Sequence, residues 1–247
     1  VDEVWLNITN PDDSYQNLSM LQGENNEWYL NQTYHDLGTY KFVIGANDTN
    51  DNSNTTSIFE FAMIDETQPQ IIDKTISTPN TGEKYLINAS ITDNYKVKSV
   101  EVYYELNSTE GYFSNFTVKM DDNYTKNITI WKNATEFSYK IIANDTSGNE
   151  NYTVLKTLNV NDTLAPKIKN VNIQPEKQLQ DKSVNITAEI SDNIELKNAS
   201  VNFTQTISYQ VDMQTKNDEY YYNTTYSENG TYSFKIEAVD EDGNKKV

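Results

Sequence analysis

The segment GTYKFVIGAND at Gly38–Asp48 returns as TEFSYKIIAND at Thr135–Asp145 and again as GTYSFKIEAVD at Gly230–Asp240. The closing aspartates lie 97 and then 95 residues apart. A second pair agrees: LINASITDN at Leu86–Asn94 stands against NITAEISDN at Asn185–Asn193. The connecting stretches DETQPQI at Asp65–Ile71 and NDTLAPKI at Asn161–Ile168 match as well. Self-similarity at a fixed spacing means that one structural unit is built repeatedly along the chain. It divides these 247 residues into three repeats, at 1–66, 67–163 and 164–247.

Within a repeat the apolar residues alternate with a period of two, which marks half-buried strands. Tyr40, Phe42, Ile44 and Ala46 point one way while Lys41, Val43 and Gly45 point the other, and Tyr232, Phe234, Ile236 and Ala238 repeat the pattern. Ile87, Ala89 and Ile91 form a second inward stripe, matched by Ile186, Ala188 and Ile190. Val4 with Leu6, Val100 with Val102, and Val201 with Phe203 form a third. Tyr is the commonest large residue at 18, and aromatic and β-branched residues favour strands. About seven short strands per repeat, separated by Asn, Asp, Ser and Gly turns, predict an all-β chain of tandem immunoglobulin-like β-sandwiches arranged as a rod. Val1 aligns with Val97, so the first repeat lacks its opening two strands, and Val247 stops just past the sixth strand of the third. A longer array is the expectation; strands added from neighbouring chains are the alternative.

The phrase A-x-D-x-x-G-N before the last strand reads Ala143, Asp145, Gly148 and Asn149 in the second repeat and Ala238, Asp240, Gly243 and Asn244 in the third. With D-x-x-x-P at the connections, it resembles the bacterial and archaeal Ig-like repeats of surface proteins. The first repeat departs from the phrase, with NDTNDNSN at Asn47–Asn54 and no glycine. The resemblance implies a module of adhesins, surface-layer proteins, stalks and filaments, and it specifies a fold more than a task.

Nineteen of the 33 asparagines sit in Asn-x-Ser/Thr acceptor triplets, where chance placement gives about six. They are Asn7, Asn17, Asn31, Asn47, Asn54, Asn88, Asn107, Asn115, Asn123, Asn127, Asn133, Asn144, Asn151, Asn161, Asn185, Asn198, Asn202, Asn223 and Asn229. A glycan is bulky and hydrated, so each used site faces water on a protein outside the cytoplasm. On strands the acceptors alternate with inward residues: Asn88 between Ile87 and Ala89, Asn202 between Val201 and Phe203, Asn7 after Leu6. Asn54, Asn107 and Asn229 are expected in turns. The absence of cysteine from such a chain points to a prokaryotic surface rather than a disulfide-stapled secreted domain. All 19 cations are Lys, which fits an AT-rich genome, and an archaeal surface is the expectation. No run of 18 apolar residues spans a membrane, so an anchor is expected outside this segment.

The formal charge of −18 excludes nucleic acid as a natural partner, because that affinity comes from clustered cations. Catalytic signatures are missing: one histidine, His35, lies in a polar YHDLG turn, and Asp12 with Asp13 or Asp121 with Asp122 read as turn formers rather than acid–base pairs. Tyr220, Tyr221 and Tyr222, with Trp28 and Tyr29 at the matching place, read as core and cross-strand packing before a sugar platform. The one ligand with a plausible site is Ca²⁺. In an Ig-like sandwich the turns after the second and sixth strands lie at one end, facing the preceding linker. That gathers Asp65, Asp93, Asn94, Asp145 and Asn149 at the first connection, and Asp162, Asp192, Asn193, Asp240, Asp242 and Asn244 at the second. Ca²⁺ takes six to eight oxygens, a number such groups supply. The alternative is that Asp-Asn and Asp-x-x-Gly-Asn are simply good turn sequences.

Together these features predict a non-enzymatic, heavily N-glycosylated extracellular protein of a surface layer, stalk or filament, partnered by copies of itself or by other surface proteins. The runner-up is the stalk or tip of an adhesin or viral fibre; an accessory module of a secreted enzyme is third.

Overall fold

The computed structural model describes residues 1–116, 118–204, 209–216 and 219–247, and every regular element among them is a β-strand. The chain divides into two compact units. The first comprises Val1–Gln68 with Asp93–Lys96 and Asp145–Asn149; the second comprises Pro69–Thr92, Val97–Asn144 and Glu150–Val247.

The first unit contains β1 (Glu3–Thr9), β2 (Tyr15–Ser19), β3 (Leu21–Gln22), β4 (Trp28–Tyr29), β5 (Gly38–Asn47), β6 (Ser53–Thr55) and β7 (Phe59–Met63). Its sheet runs β2–β1–β5–β6, β7 also pairs β5, and β3–β4 form a separate hairpin. The alternation read from the sequence holds. Leu6, Ile8 and Tyr40 are buried, with Phe42, Ile44, Phe61 and Met63 packed against them. The Tyr40 and Phe61 rings stack at 5.0 Å. The opposite face is less polar than alternation implies, because the Trp5 ring lies over Gly45 where a Cβ would collide with it. Asn54, expected in a turn, lies on β6 opposite Ala46.

The second unit holds two pairs of sheets. One comes from β8 (Gln70–Asp73), β9 (Lys84–Thr92), β10 (Val97–Leu106), β11 (Tyr112–Asn115), β12 (Val118–Met120), β13 (Asn123–Thr129), β14 (Glu136–Asp145), β15 (Glu150–Tyr152) and β16 (Lys156–Asn159). Sheet β12–β13–β9–β8 faces sheet β11–β10–β14, whose last neighbours are β15 and β16. Of these nine strands, β11 pairs β10 and β12 pairs β13, while β15 and β16 both pair β14. Between the sheets lie Ile87, Ala89, Ile91, Val102, Phe137 and Ile141, each at most 1 % exposed. Such burial contributes about 1.5–3 kcal/mol per large side chain.

The second pair comes from β17 (Lys167–Gln174), β18 (Ser183–Ser191), β19 (Leu196–Phe203), β20 (Tyr209–Asp212), β21 (Gln214–Lys216), β22 (Glu219–Thr225), β23 (Phe234–Asp240) and β24 (Lys245–Lys246). Sheets β17–β18–β22–β21 and β20–β19–β23–β24 enclose Ile186, Ala188, Val201, Phe203, Ile236 and Ala238. Tyr220 and Tyr222 pack against this core, whereas the Tyr221 hydroxyl donates to Gln214 Oε1 at 2.7 Å. The triple tyrosine is therefore split across two faces, as packing requires. The architecture is the tandem immunoglobulin-like β-sandwich that the alternation predicts.

The glycine-free turn of the first repeat keeps the same form as its counterparts. Gly148 (φ 97°) and Gly243 (φ 90°) occupy left-handed backbone, and Asp51 (φ 63°) takes the corresponding place. Asp tolerates that region better than most residues because its short polar side chain bonds locally. No atom lies within 4 Å of a Cβ built on Gly148 or Gly243, so conformation alone selects glycine there. Gly148→Ala and Gly243→Ala are each expected to lower stability by about 1–2 kcal/mol in urea melts, while Asp51→Gly is expected to lose none.

Candidate metal centres

The A-x-D phrase of each repeat ends in an aspartate that organises the loop after it. Asp145 is fully buried. Its Oδ1 accepts the backbone N–H groups of Ser147, Gly148 and Asn149 at 2.9, 2.7 and 2.8 Å, and its Oδ2 accepts from Asn149 Nδ2 at 2.7 Å. Burial pushes the Asp145 carboxyl up, but the Asn149 side chain and these N–H groups outweigh it and hold the acid below the usual carboxylate range. Asp240 repeats the arrangement with Asn244, whose backbone N donates to Oδ1 at 2.7 Å and whose Nδ2 donates to Oδ2 at 2.8 Å. Asp48 does so with Asn50 and Asn52.

Two further carboxylates join each buried one. In the first unit Asp65, Asp93 and Asp145 each place an oxygen within 4.8 Å of the others; in the second unit Asp162, Asp192 and Asp240 do the same. Asp93 follows β9 and Asp192 follows β18, and each caps its own turn: Asp93 Oδ1 accepts from Tyr95 N and Lys96 N, Asp192 Oδ2 from Ile194 N. The other oxygen of each, Asp93 Oδ2 and Asp192 Oδ1, is buried and has no hydrogen-bond partner. A buried, unpartnered carboxylate oxygen is costly. The two copies orphan an oxygen on the same residue of the repeat. Among the described residues no lysine forms an ion pair with any of the six aspartates.

The asparagines named from the sequence stand beside these acids as donors. Asn94 Nδ2 reaches Asp65 Oδ1 at 3.0 Å, Asn149 Nδ2 the Asp65 carbonyl at 3.0 Å, and Asn244 Nδ2 the Asp162 carbonyl at 3.0 Å. Asn193 Nδ2 donates to both Asp162 oxygens and to the Lys132 carbonyl. Asp242 is exposed and lies outside the triad. The sequence reading missed Thr81, fully buried, whose hydroxyl donates to Asp162 Oδ1 at 2.8 Å and accepts from Thr163 N at 3.1 Å. Its signal was the turn beside Gly82 (φ 73°), far along the chain from the linker it fixes.

The acceptor asparagines are all exposed or half-buried. Asn31, Asn107, Asn133, Asn161 and Asn229 lie outside the strands, and the other fourteen lie on them. Asn107 also has a structural part: its Oδ1 accepts from Thr135 N and Glu136 N and its Nδ2 donates to the Asn133 carbonyl. His35 is exposed. Asp13 and Asp121 occupy left-handed turn positions, as turn formers do. No helix among the described residues is long and apolar enough to cross a membrane.

Fold and site define the class: tandem Ig-like sandwiches in which a linker aspartate meets two turn aspartates. No protein-family model matches the chain, and no curated protein does. Among solved structures it is similar to a tetra-tandem repeat from the extending region of a large adhesion protein, at 16% identity and a TM-score of 0.44 over 98% of this chain and 64% of that one. It is also similar to a structure from a 1.5-MDa bacterial ice-binding adhesin (10% identity, TM-score 0.33, 99% of this chain and 83% of that one). A third is FN1–FN3 of chicken CNTN1 (11% identity, TM-score 0.31, 99% and 86%). The chain spans about two thirds of the length of the first of these, 64%.

An acid whose folded pKa is depressed stabilises the fold above its unfolded pKa, about 3.9 for Asp, and that contribution disappears as pH falls through the folded value. In metal-free buffer, urea melts are expected to show wild type losing more stability than Asp145→Asn between pH 6 and pH 3, because only wild type carries the titrating group.

Proposed function

We propose that the chain is a calcium-stiffened spacer of an extracellular surface layer, stalk or filament, coated by N-glycans. The observation that carries this reading is the repeated aspartate triad with its orphaned buried oxygen, formed twice from equivalent positions of the repeat. Asp65, Asp93 and Asp145 would hold one ion and Asp162, Asp192 and Asp240 the other. Ca²⁺ supplies two positive charges and a demand for oxygen ligands, which suits three carboxylates that no lysine pairs with among the described residues. The protein's own part is orientation. Backbone N–H groups and asparagine amides fix each carboxylate, so an ion would lock the linker residue onto the two turns.

Calcium sites of extracellular modules typically bind at about 0.1–1 mM, which matches a compartment where calcium is abundant. Binding there strengthens the fold only outside the cell. The acceptor triplets and the charge of −18 support the same location: a hydrated, negative coat keeps neighbouring molecules apart and covers strand edges. A spacer needs no catalytic group.

Thermal melting with 10 mM Ca²⁺ against EGTA tests the reading. At about 100 times its Kd the ion adds about 2.7 kcal/mol, a rise of several degrees in Tm. Asp93→Asn and Asp192→Asn are each expected to remove part of that rise, and the double variant nearly all of it. An identical Tm in calcium and EGTA would sink the calcium part. Electron microscopy of native material tests the wider role: a lattice or filament supports it, and isolated spikes favour an adhesin.

A further inference from the structure

The acceptor triplets differ in how much of the triplet the fold leaves outside. Asn7, Asn88, Asn185 and Asn202 lie on strands bonded on both sides. Asn7 faces Asn17 and Val43; Asn185 faces Asn223 and Gln174; Asn202 faces Gln210 and Lys235; Asn88 faces Thr125 while its carbonyl accepts from Lys74 N. The middle residue of each triplet is a core residue: Ile8, Ala89, Ile186 and Phe203 are at most 1 % exposed. Successive side chains on a strand point to opposite faces, so the asparagine and the hydroxyl two residues on stand outward, stapled by a buried residue between them. The carboxamide oxygens of Asn88, Asn185 and Asn202 are themselves buried and unpartnered, and that of Asn7 accepts from Asn17 Nδ2 at 2.6 Å. By contrast, all three residues of the triplets at Asn31 and Asn229 are exposed and outside strands.

N-glycosyl transfer forms a bond between Nδ2 and the anomeric carbon of a lipid-linked oligosaccharide. That carbon's bond to the donor's phosphate oxygen breaks, the lipid phosphate leaves with the electron pair, and one Nδ2 proton goes to a base of the transferase. A carboxamide nitrogen is a poor nucleophile, because its lone pair is delocalised into the carbonyl. The transferase must therefore grip the whole amide together with the downstream hydroxyl. A doubly paired strand with a buried carboxamide oxygen offers neither grip without opening.

Resting on the reading that these triplets are glycosylated, we propose that they form two classes in time. Asn7, Asn88, Asn185 and Asn202 receive sugar only on the unfolded chain, before their strands pair, whereas Asn31 and Asn229 accept it from the folded protein as well. Sugar addition at the four strand sites then precedes folding, and the completed sheet closes them to further modification.

Site occupancy by mass spectrometry tests this on the full chain. One arm is native material. Another is chain made in a host without N-glycosylation, folded, and incubated with membranes that carry an oligosaccharyltransferase and its lipid-linked donor. A third treats the same chain unfolded. The expected result is sugar at both classes in native and unfolded arms, and occupancy at the four strand sites about tenfold or more below that at Asn31 and Asn229 in the folded arm, since transfer there waits on local opening. Equal occupancy of the two classes in the folded arm would overturn the proposal, as would failure of the strand sites to accept in the unfolded arm. Sugar at no site of the native protein would overturn the glycosylation reading itself, and the proposal with it.

Discussion

Three carboxylates held within 4.8 Å repel one another, and the chain builds that arrangement twice. Left to themselves, like charges at this spacing tend to separate. Here the surrounding donors oppose separation. Asp145 is fixed by four donors and Asp240 by Asn244, while Asp65 and Asp162 are held by the linker's own turns and by asparagine amides. The same hydrogen bonds that orient Asp145 also hold its carboxyl below the usual carboxylate range, so at that member they favour the charge rather than relieve it. The rest of the architecture serves that end: strands β14 and β23 deliver the buried aspartate, and β9 and β18 deliver the one with the unpartnered oxygen.

Most of the fold was legible because its code is short. Period-two alternation assigned Ile87, Ala89 and Ile91 to the core, and their burial follows from the pleat. The triads were legible for a related reason, since repeats place equivalent turns at equivalent ends. What stayed hidden depends on geometry that composition does not encode. The first repeat's turn lacks glycine, yet Asp51 adopts the left-handed backbone that Gly148 and Gly243 take elsewhere. Thr81 meets Asp162 across 81 residues, a contact only the tertiary fold makes. Trp5 covers Gly45 on a face that alternation marks as outward, because a flat ring packs over a residue with no side chain. The orphaned oxygens are invisible in sequence, where Asp-Asn reads equally well as an ordinary turn.

The Asn-x-Ser/Thr triplets follow the same pleat. A triplet of the form Asn-x-Thr on a strand presents its two polar residues to solvent and commits x to the core. Ile8, Ala89, Ile186 and Phe203 thus serve packing within the acceptor triplets themselves. The density of acceptor triplets therefore does not compete with the density of the sandwich.

Counting bound calcium is the most direct test of the central idea that the two triads are metal centres. Isothermal titration calorimetry of the metal-free chain is predicted to give two Ca²⁺ per molecule, falling to one in Asp93→Asn and to one in Asp192→Asn. Absence of binding at millimolar Ca²⁺, or a stoichiometry unchanged by both substitutions, would contradict it.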